Sequence, residues 1–323
     1  MPAAEIAGPA ARVFAQLVRA APTGSPAEQM SWELRVVKGI TGNAFSLPDG
    51  AVYVDDEIAQ LLGNDPGLWA ALLAHEIIHI TQHHWTKRAA FQESLKNSGA
   101  SWNFMQFGAF PMVVTSSTET ERGRAIADFS QELELEADIG SLNLMARSGF
   151  HPDFVTALYH LMEAQEGSSP AAPFLASHPD WDVRESHLHR RYNAAVAEFA
   201  RFWPDPARSP GGDPPVLAFL GRPEATLKSQ QADADISLPI RCENSSGGVE
   251  VVLLFRALGS SNLPPSRRTT QMRQTIDCTA DHTIASFVID AGVHRREEAD
   301  VEFYVMDSRG WVLARSSRLR LRF

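Results

Sequence analysis

Residues 75–79 read His-Glu-Ile-Ile-His, and they lie inside a stretch that reads as a capped helix. Asp65 is placed to cap that helix and Pro66 to occupy its first turn, where a missing N–H costs nothing. Leu73, Ile77 and Ile80 recur at helical spacing and are expected to face the core. On such a helix, positions i and i+4 stand one turn apart on the same face, so His75 and His79 can reach one ion. Neutral imidazole is a good zinc ligand, and Glu76 projects beside the pair, placed to take a proton from a metal-activated water. The plainer reading is a helix whose two histidines and glutamate make ordinary surface hydrogen bonds.

A catalytic zinc needs a third protein ligand and one open position. A third histidine ten residues after the first would supply it in one known arrangement, but Trp85 stands there and Gln82 replaces the preceding glycine. The alternative is a carboxylate from a later helix. Residues 131–138 read Gln-Glu-Leu-Glu-Leu-Glu-Ala-Asp within a helix expected over about 129–147, closed by Gly149 and followed by Pro152. Glu134 could ligate while Asp138, one turn on, holds the outer nitrogen of a ligating histidine. Spacing alone leaves Glu132 and Glu136 equally open, and an acidic solvated helix face is the competing reading.

Composition narrows the partners. The 323 residues carry a net charge of −10, which repels phosphate backbones, so no nucleic-acid partner is expected. No stretch of 18 apolar residues occurs, and the N-terminus lacks the basic start and apolar run of a signal peptide. The chain as given reads as cytoplasmic, or periplasmic if a targeting segment lies upstream. Cys242 and Cys278 have no neighbours at metal-ligand spacing. One disulfide, in an exported chain, and two buried free thiols are equally consistent with them.

Short apolar runs at Val36–Val37 and Ala51–Val54 read as strands, and a third helix is expected from about Asp182 to Phe202. Seven prolines and glycines between Trp203 and Leu217 mark a linker. Beyond it the pattern turns to period two, with strands at 236–240, 249–255, 284–289 and 301–305 and a turn at Asp307–Gly310. The expected class is α+β, with a mainly helical domain over 1–204, a linker over 205–222 and a β-sandwich over 223–323. Trp102, Phe104, Met105, Phe107, Phe110 and Met112 crowd the segment between the two metal helices. It reads as a loop that is a lid, a membrane-surface contact or plain core packing. The alternation of Arg318, Arg320 and Arg322 with Leu319 and Leu321 reads as a solvated strand face, an acidic partner being the alternative.

Over roughly residues 10–200 the chain resembles the gluzincin metallopeptidases of the family containing the CAAX prenyl protease, the heat-shock membrane endopeptidase and the periplasmic protease-chaperones. The first motif is His75-Glu76-x-x-His79. The family's second motif, E-x-x-x-D, implies Glu134 as third ligand and Asp138 as the residue behind a histidine, with one Zn2+ per chain in a zincin-like domain. Its helix ending in Gly-aromatic-x-Pro matches Gly149, Phe150 and Pro152. The stretch from Asn43 through Ala44 and Phe45 to Val54 resembles its edge strand, which implies backbone pairing with extended substrate. His178-Pro179 with Arg184 six residues on resembles a pair lying near the active site in relatives. That implies a transition-state or regulatory contact for His178 and support of the site or oxyanion for Arg184. His83, His84, His187 and His189 are expected to be structural or surface residues. Ser130-Gln131 departs from the family's Ser-Arg, and the β-rich tail lies outside the resemblance. The implied activity is endoproteolysis of unfolded or misassembled proteins, or else a chaperone or assembly role with a structural or self-inhibited zinc site.

Overall fold

The computed structural model describes residues 8–21, 30–39, 44–97, 104–107, 110–113, 119–166, 181–227, 233–245, 248–258, 269–278, 283–290, 298–307, 312–316 and 319–322. Contacts divide the chain into two units, Met1–Leu158 with Ser169–Pro214, and Tyr159–Ser168 with Pro215–Phe323.

The first unit opens with helix α1 (Pro9–Ala20), followed by strands β1 (Glu33–Val37), β2 (Ala44–Ser46) and β3 (Ala51–Asp55). These strands form one sheet in the order β1-β3-β2, parallel between β1 and β3 and antiparallel between β3 and β2. Helices α2 (Asp56–Leu62), α3 (Pro66–Thr81) and α4 (His84–Asn97) come next. Strands β4 (Phe104–Phe107) and β5 (Phe110–Val113) then pair antiparallel, so the expected apolar loop holds a short hairpin. Helix α5 (Glu119–Ser148) begins ten residues before the expected start near 129. After α6 (Asp153–Glu166), helix α7 (Trp181–Phe202) packs along α5.

Helix α3 is the core of this unit. Leu73, Ile77 and Ile80 are buried as expected, and so is every other residue from Gly67 to Thr81. A helix apolar all round sits at the centre of a helical layer, with neighbours on every side. The chain leaves α5 at Gly149, whose φ of 82° is accessible at little cost only without a side chain. A Cβ there would lie 2.3 Å from Pro210, and Gly149 O accepts from Gly211 N at 2.9 Å. The start of the expected linker is therefore fastened to the first unit.

The second unit contains strands β6 (Leu217–Leu220), β7 (Glu224–Leu227), β8 (Asp233–Glu243), β9 (Gly248–Leu258), β10 (Thr269–Asp277), β11 (Thr283–Asp290), β12 (Glu298–Met306), β13 (Val312–Arg315) and β14 (Leu319–Arg322). One sheet runs β10-β9-β12-β13 with β14 also on β12; the other runs β11-β8-β6 with β7 also on β8. Alternate residues of β8, Ile236, Leu238, Ile240 and Cys242, share one apolar cluster with Val249, Val251, Leu253, Phe255, Val301, Phe303 and Val305 of the other sheet. The outer face of β12 is also covered. Glu302 pairs with Arg315 at 2.6 Å, and Asp300 with Arg320 at 3.0 Å. Arg320, in the basic last strand, is thus engaged within its own sheet.

Cys242 and Cys278 form a disulfide inside that cluster, tying β8 to the end of β10. The closed loop spans 36 residues, and loop-closure entropy assigns it about 4 kcal/mol. Replacing both cysteines with alanine is expected to lower the stability of this unit by about that amount in urea titration. A loss below about 1 kcal/mol would show that the bond adds little beyond packing.

Candidate metal centre

Local chemistry sets the phase of α3. The Asp65 carboxylate accepts from Gly67 N at 2.8 Å and Leu68 N at 3.0 Å, satisfying two amides of the first turn, and Trp69 Nε1 donates to Gly63 O at 2.9 Å. His75 and His79 then emerge on one face, in the last two turns of the helix. Burying imidazoles and a carboxylate is expensive unless each finds a partner. The partners come from α5, which approaches α3 at Gly140. A Cβ built on Gly140 would lie 2.8 Å from Ile78 Cγ2, so the two helices could not close to this distance around a larger residue.

At this crossing three ligand atoms converge. His75 Nε2 and His79 Nε2 are 3.0 Å apart, His75 Nε2 lies 3.2 Å from Glu134 Oε2, and His79 Nε2 lies 3.6 Å from Glu134 Oε1. A tetrahedral zinc with bonds of about 2.0–2.1 Å spaces its ligands about 3.3–3.4 Å apart, so the donor set fits that ion. Among the described residues this is the one cluster of three or more side chains able to hold a metal. Its three members are buried. Asp138, one turn beyond Glu134, places Oδ1 2.9 Å from His75 Nδ1 and is 1% exposed. Glu76 follows His75 on α3 and is 2% exposed.

The other acidic residues of the segment separate cleanly. Glu132 is exposed. Glu136 is half-exposed and pairs with Lys87, whose Nζ lies 3.0 and 2.8 Å from its two oxygens. Glu134 and Asp138 face α3, whereas Glu132 is exposed and Glu136 is engaged by Lys87.

Ala44 and Phe45 lie on β2, one of the two outer strands of its sheet among the described residues; β2 packs against α3. Phe45 stacks on Tyr53 with ring centres 5.0 Å apart, and Trp85 Nε1 donates to Ser46 O at 2.7 Å, tying this strand to α4. Asn43 and His178 fall outside the described residues. Arg184 lies within α7, but its side chain is outside what is described, as are those of His187 and His189.

One residue taken as structural stands directly against the cluster. His84 Nδ1 is 2.8 Å from His79 Nδ1, with the two rings edge to face at 83°. Burial holds the His84 pKa down to about 3, the charge of His79 adding to the effect. Arg88, one turn further along α4, is also held below its ordinary value by burial, with Glu134 opposing. The signal in the sequence was the pair His83-His84 directly after the helix, which carries no register information until the turn at His83 is known.

Two helices that bring two imidazoles and a carboxylate together, with a second carboxylate behind a histidine, form a site able to hold one metal ion. The chain belongs to peptidase family M48, which it matches over residues 9–192. That is a family of zinc metallopeptidases, and the His75–His79–Glu134 cluster can hold one metal ion. The mitochondrial metalloendopeptidase OMA1 of Schizosaccharomyces pombe is 32% identical over 151 residues, 46% of this chain and 43% of that protein. The β-barrel assembly-enhancing protease of Escherichia coli is 27% identical over 164 residues, 47% of this chain and 32% of that protein. That of Yersinia pestis is 30% identical over 160 residues, with 47% and 32% covered. The chain thus spans less than half the length of each of these relatives. No helix among the described residues is long and apolar enough to cross a membrane.

Proposed function

We propose that this chain is a zinc metalloendopeptidase that cleaves unfolded or misassembled proteins, with His75, His79 and Glu134 as metal ligands and Glu76 as general base. The observation that carries this reading is the convergence, from two separate helices, of the two imidazole nitrogens 3.0 Å apart and the Glu134 carboxylate, whose two oxygens lie 3.2 and 3.6 Å from them. When bound, zinc supplies a water with a pKa of about 7 and polarises the scissile carbonyl. Glu76 accepts the proton of the attacking water and returns it to the departing amine. Asp138 keeps the proton of His75 on Nδ1, which leaves Nε2 its lone pair for the metal. Strand β2, at Ala44 and Phe45, holds extended substrate by backbone pairing, with Asn43 just before it in sequence as a further contact, a mode that favours loose chains over folded surfaces. His178 is the candidate donor to the oxyanion, and Arg184 the candidate support for it.

The same proposal takes the helical unit as zincin-like and the C-terminal sheets as a β-sandwich, supported by the apolar cluster the two sheets share. The disulfide between Cys242 and Cys278 favours an oxidising compartment over the cytoplasm.

The test is digestion of a permanently unfolded protein, such as a reduced and alkylated one. Internal fragments are expected, abolished by a zinc chelator and restored by added zinc. Trimming from the chain ends alone would contradict an endopeptidase. Bound zinc with no cleavage would favour an assembly factor.

A further inference from the structure

We propose that His84 is a positioning residue for His79, acting as the acceptor of a hydrogen bond that fixes the tautomer and rotation of that ligand. This rests on the zinc reading above and deepens it. An imidazole that gives the lone pair of Nε2 to a metal keeps its proton on Nδ1. His79 Nδ1 therefore donates, and the atom facing it at 2.8 Å, His84 Nδ1, accepts. A neutral His84 that accepts on Nδ1 carries its own proton on Nε2. That nitrogen lies 3.4 Å from Glu136 Oε2. The carboxylate is itself held by Lys87 Nζ at 2.8 Å. The approach to Glu136 is electrostatic rather than a hydrogen bond, so the polar contact that orients His84 is the short one to His79.

The backbone makes this contact at a cost. His83 sits at φ 56°, a left-handed conformation that non-glycine residues seldom adopt and that costs on the order of 1 kcal/mol. Its N–H donates to Ile80 O at 3.0 Å and its carbonyl accepts from Lys87 N at 2.9 Å, so one residue ends α3 and starts α4. That reversal turns His84 back onto the helix it has just left. His84 is 2% exposed, and its ring packs on His79 with centres 4.8 Å apart. The two ligating histidines then differ in what stands behind them: a carboxylate, Asp138, behind His75, and a neutral ring behind His79. The carboxylate raises the donor strength of its imidazole, while the neutral acceptor fixes geometry without adding a second negative charge beside Glu134.

The experiment measures zinc affinity of chelator-stripped full-length protein by competition with a chromogenic chelator, for the wild type, His79→Ala, His84→Leu and His84→Asn. The wild type is expected to bind one zinc and His79→Ala to lose it, which tests the zinc reading independently. His84→Leu fills the same space without an acceptor and is expected to bind zinc about 10–100-fold more weakly. His84→Asn offers an amide oxygen near the position of Nδ1 and is expected to restore most of the loss. His84→Leu binding as tightly as wild type would overturn the proposal while leaving the zinc site standing. Equal losses in both His84 variants would also overturn it, since they would reduce His84 to a packing role. A wild type that binds no zinc removes both readings. Should the leucine variant not fold, nitrogen-15 NMR of the zinc-loaded wild type reads the same point: His84 protonated on Nε2 supports the proposal, and protonated on Nδ1 overturns it.

Discussion

Glu76→Gln is expected to keep zinc bound and to lower kcat by about 10²–10⁴-fold, with KM little changed. The size follows from what the substitution removes. Glutamine has the shape of glutamate and can still accept a hydrogen bond, so the 2%-exposed position on α3 stays filled and α3 stays packed. It cannot take up a proton at neutral pH, so the attacking water loses its base and the leaving amine its acid. A loss of about 10²–10⁴ corresponds to about 3–5 kcal/mol of transition-state stabilisation. A merely structural Glu76 would show instead as lost stability or lost metal at unchanged turnover per bound zinc. Steady-state cleavage of an unfolded protein, normalised to zinc content, separates the two. Turnover per zinc equal to that of the wild type would remove the proposed mechanism.

Glu134→Ala is expected to have a larger effect still, reducing bound zinc to below stoichiometry and cleavage to background. Two imidazoles on adjacent turns of one helix are an incomplete site, because zinc in a peptidase takes three protein ligands. In the proposed site Glu134 is the third, from a different helix, with its two oxygens 3.2 and 3.6 Å from the two imidazole nitrogens. Glu132→Ala, on the exposed face of α5, is the matched control and is expected to keep full zinc and activity. Metal analysis of both proteins decides the point. Stoichiometric zinc in the alanine variant at 134 would mean that another carboxylate is the ligand, which the positions of Glu132 and Glu136 do not favour.

The helix that carries His75 and His79 was legible because every signal for it is local. Asp65, Pro66 and the His-Glu-x-x-His spacing act within one or two turns, so α3 begins where the cap and proline place it. The parallel and antiparallel strands at Val36–Val37 and Ala51–Val54, and the period-two strands β8, β9, β11 and β12, were legible for the same reason. Strand β10 was not: Thr269–Asp277 is polar at alternate positions and at both ends, and it becomes a strand by pairing along the length of β9. Helices α4 and α6 likewise lack strong stop and start signals of their own. The segment with Phe104 and Phe110 was read as a loop because its apolar residues follow no clear period, yet it pairs as β4 and β5.

The sequence by itself determined that two histidines and a glutamate share a helix, and that a later helix offers carboxylates one turn apart. It could not say which carboxylates, because residues 131–138 of α5 offer four acidic positions and no rotation. The rotation comes from a contact distant in sequence, Gly140 against Ile78, which sets how closely and in what phase α5 meets α3. The tertiary structure likewise decided that α3 is buried on all sides and that Cys242 meets Cys278. It also decided that His84 returns to touch His79. Each of these depends on where two segments stand relative to each other, and that is fixed by packing, which no local pattern encodes.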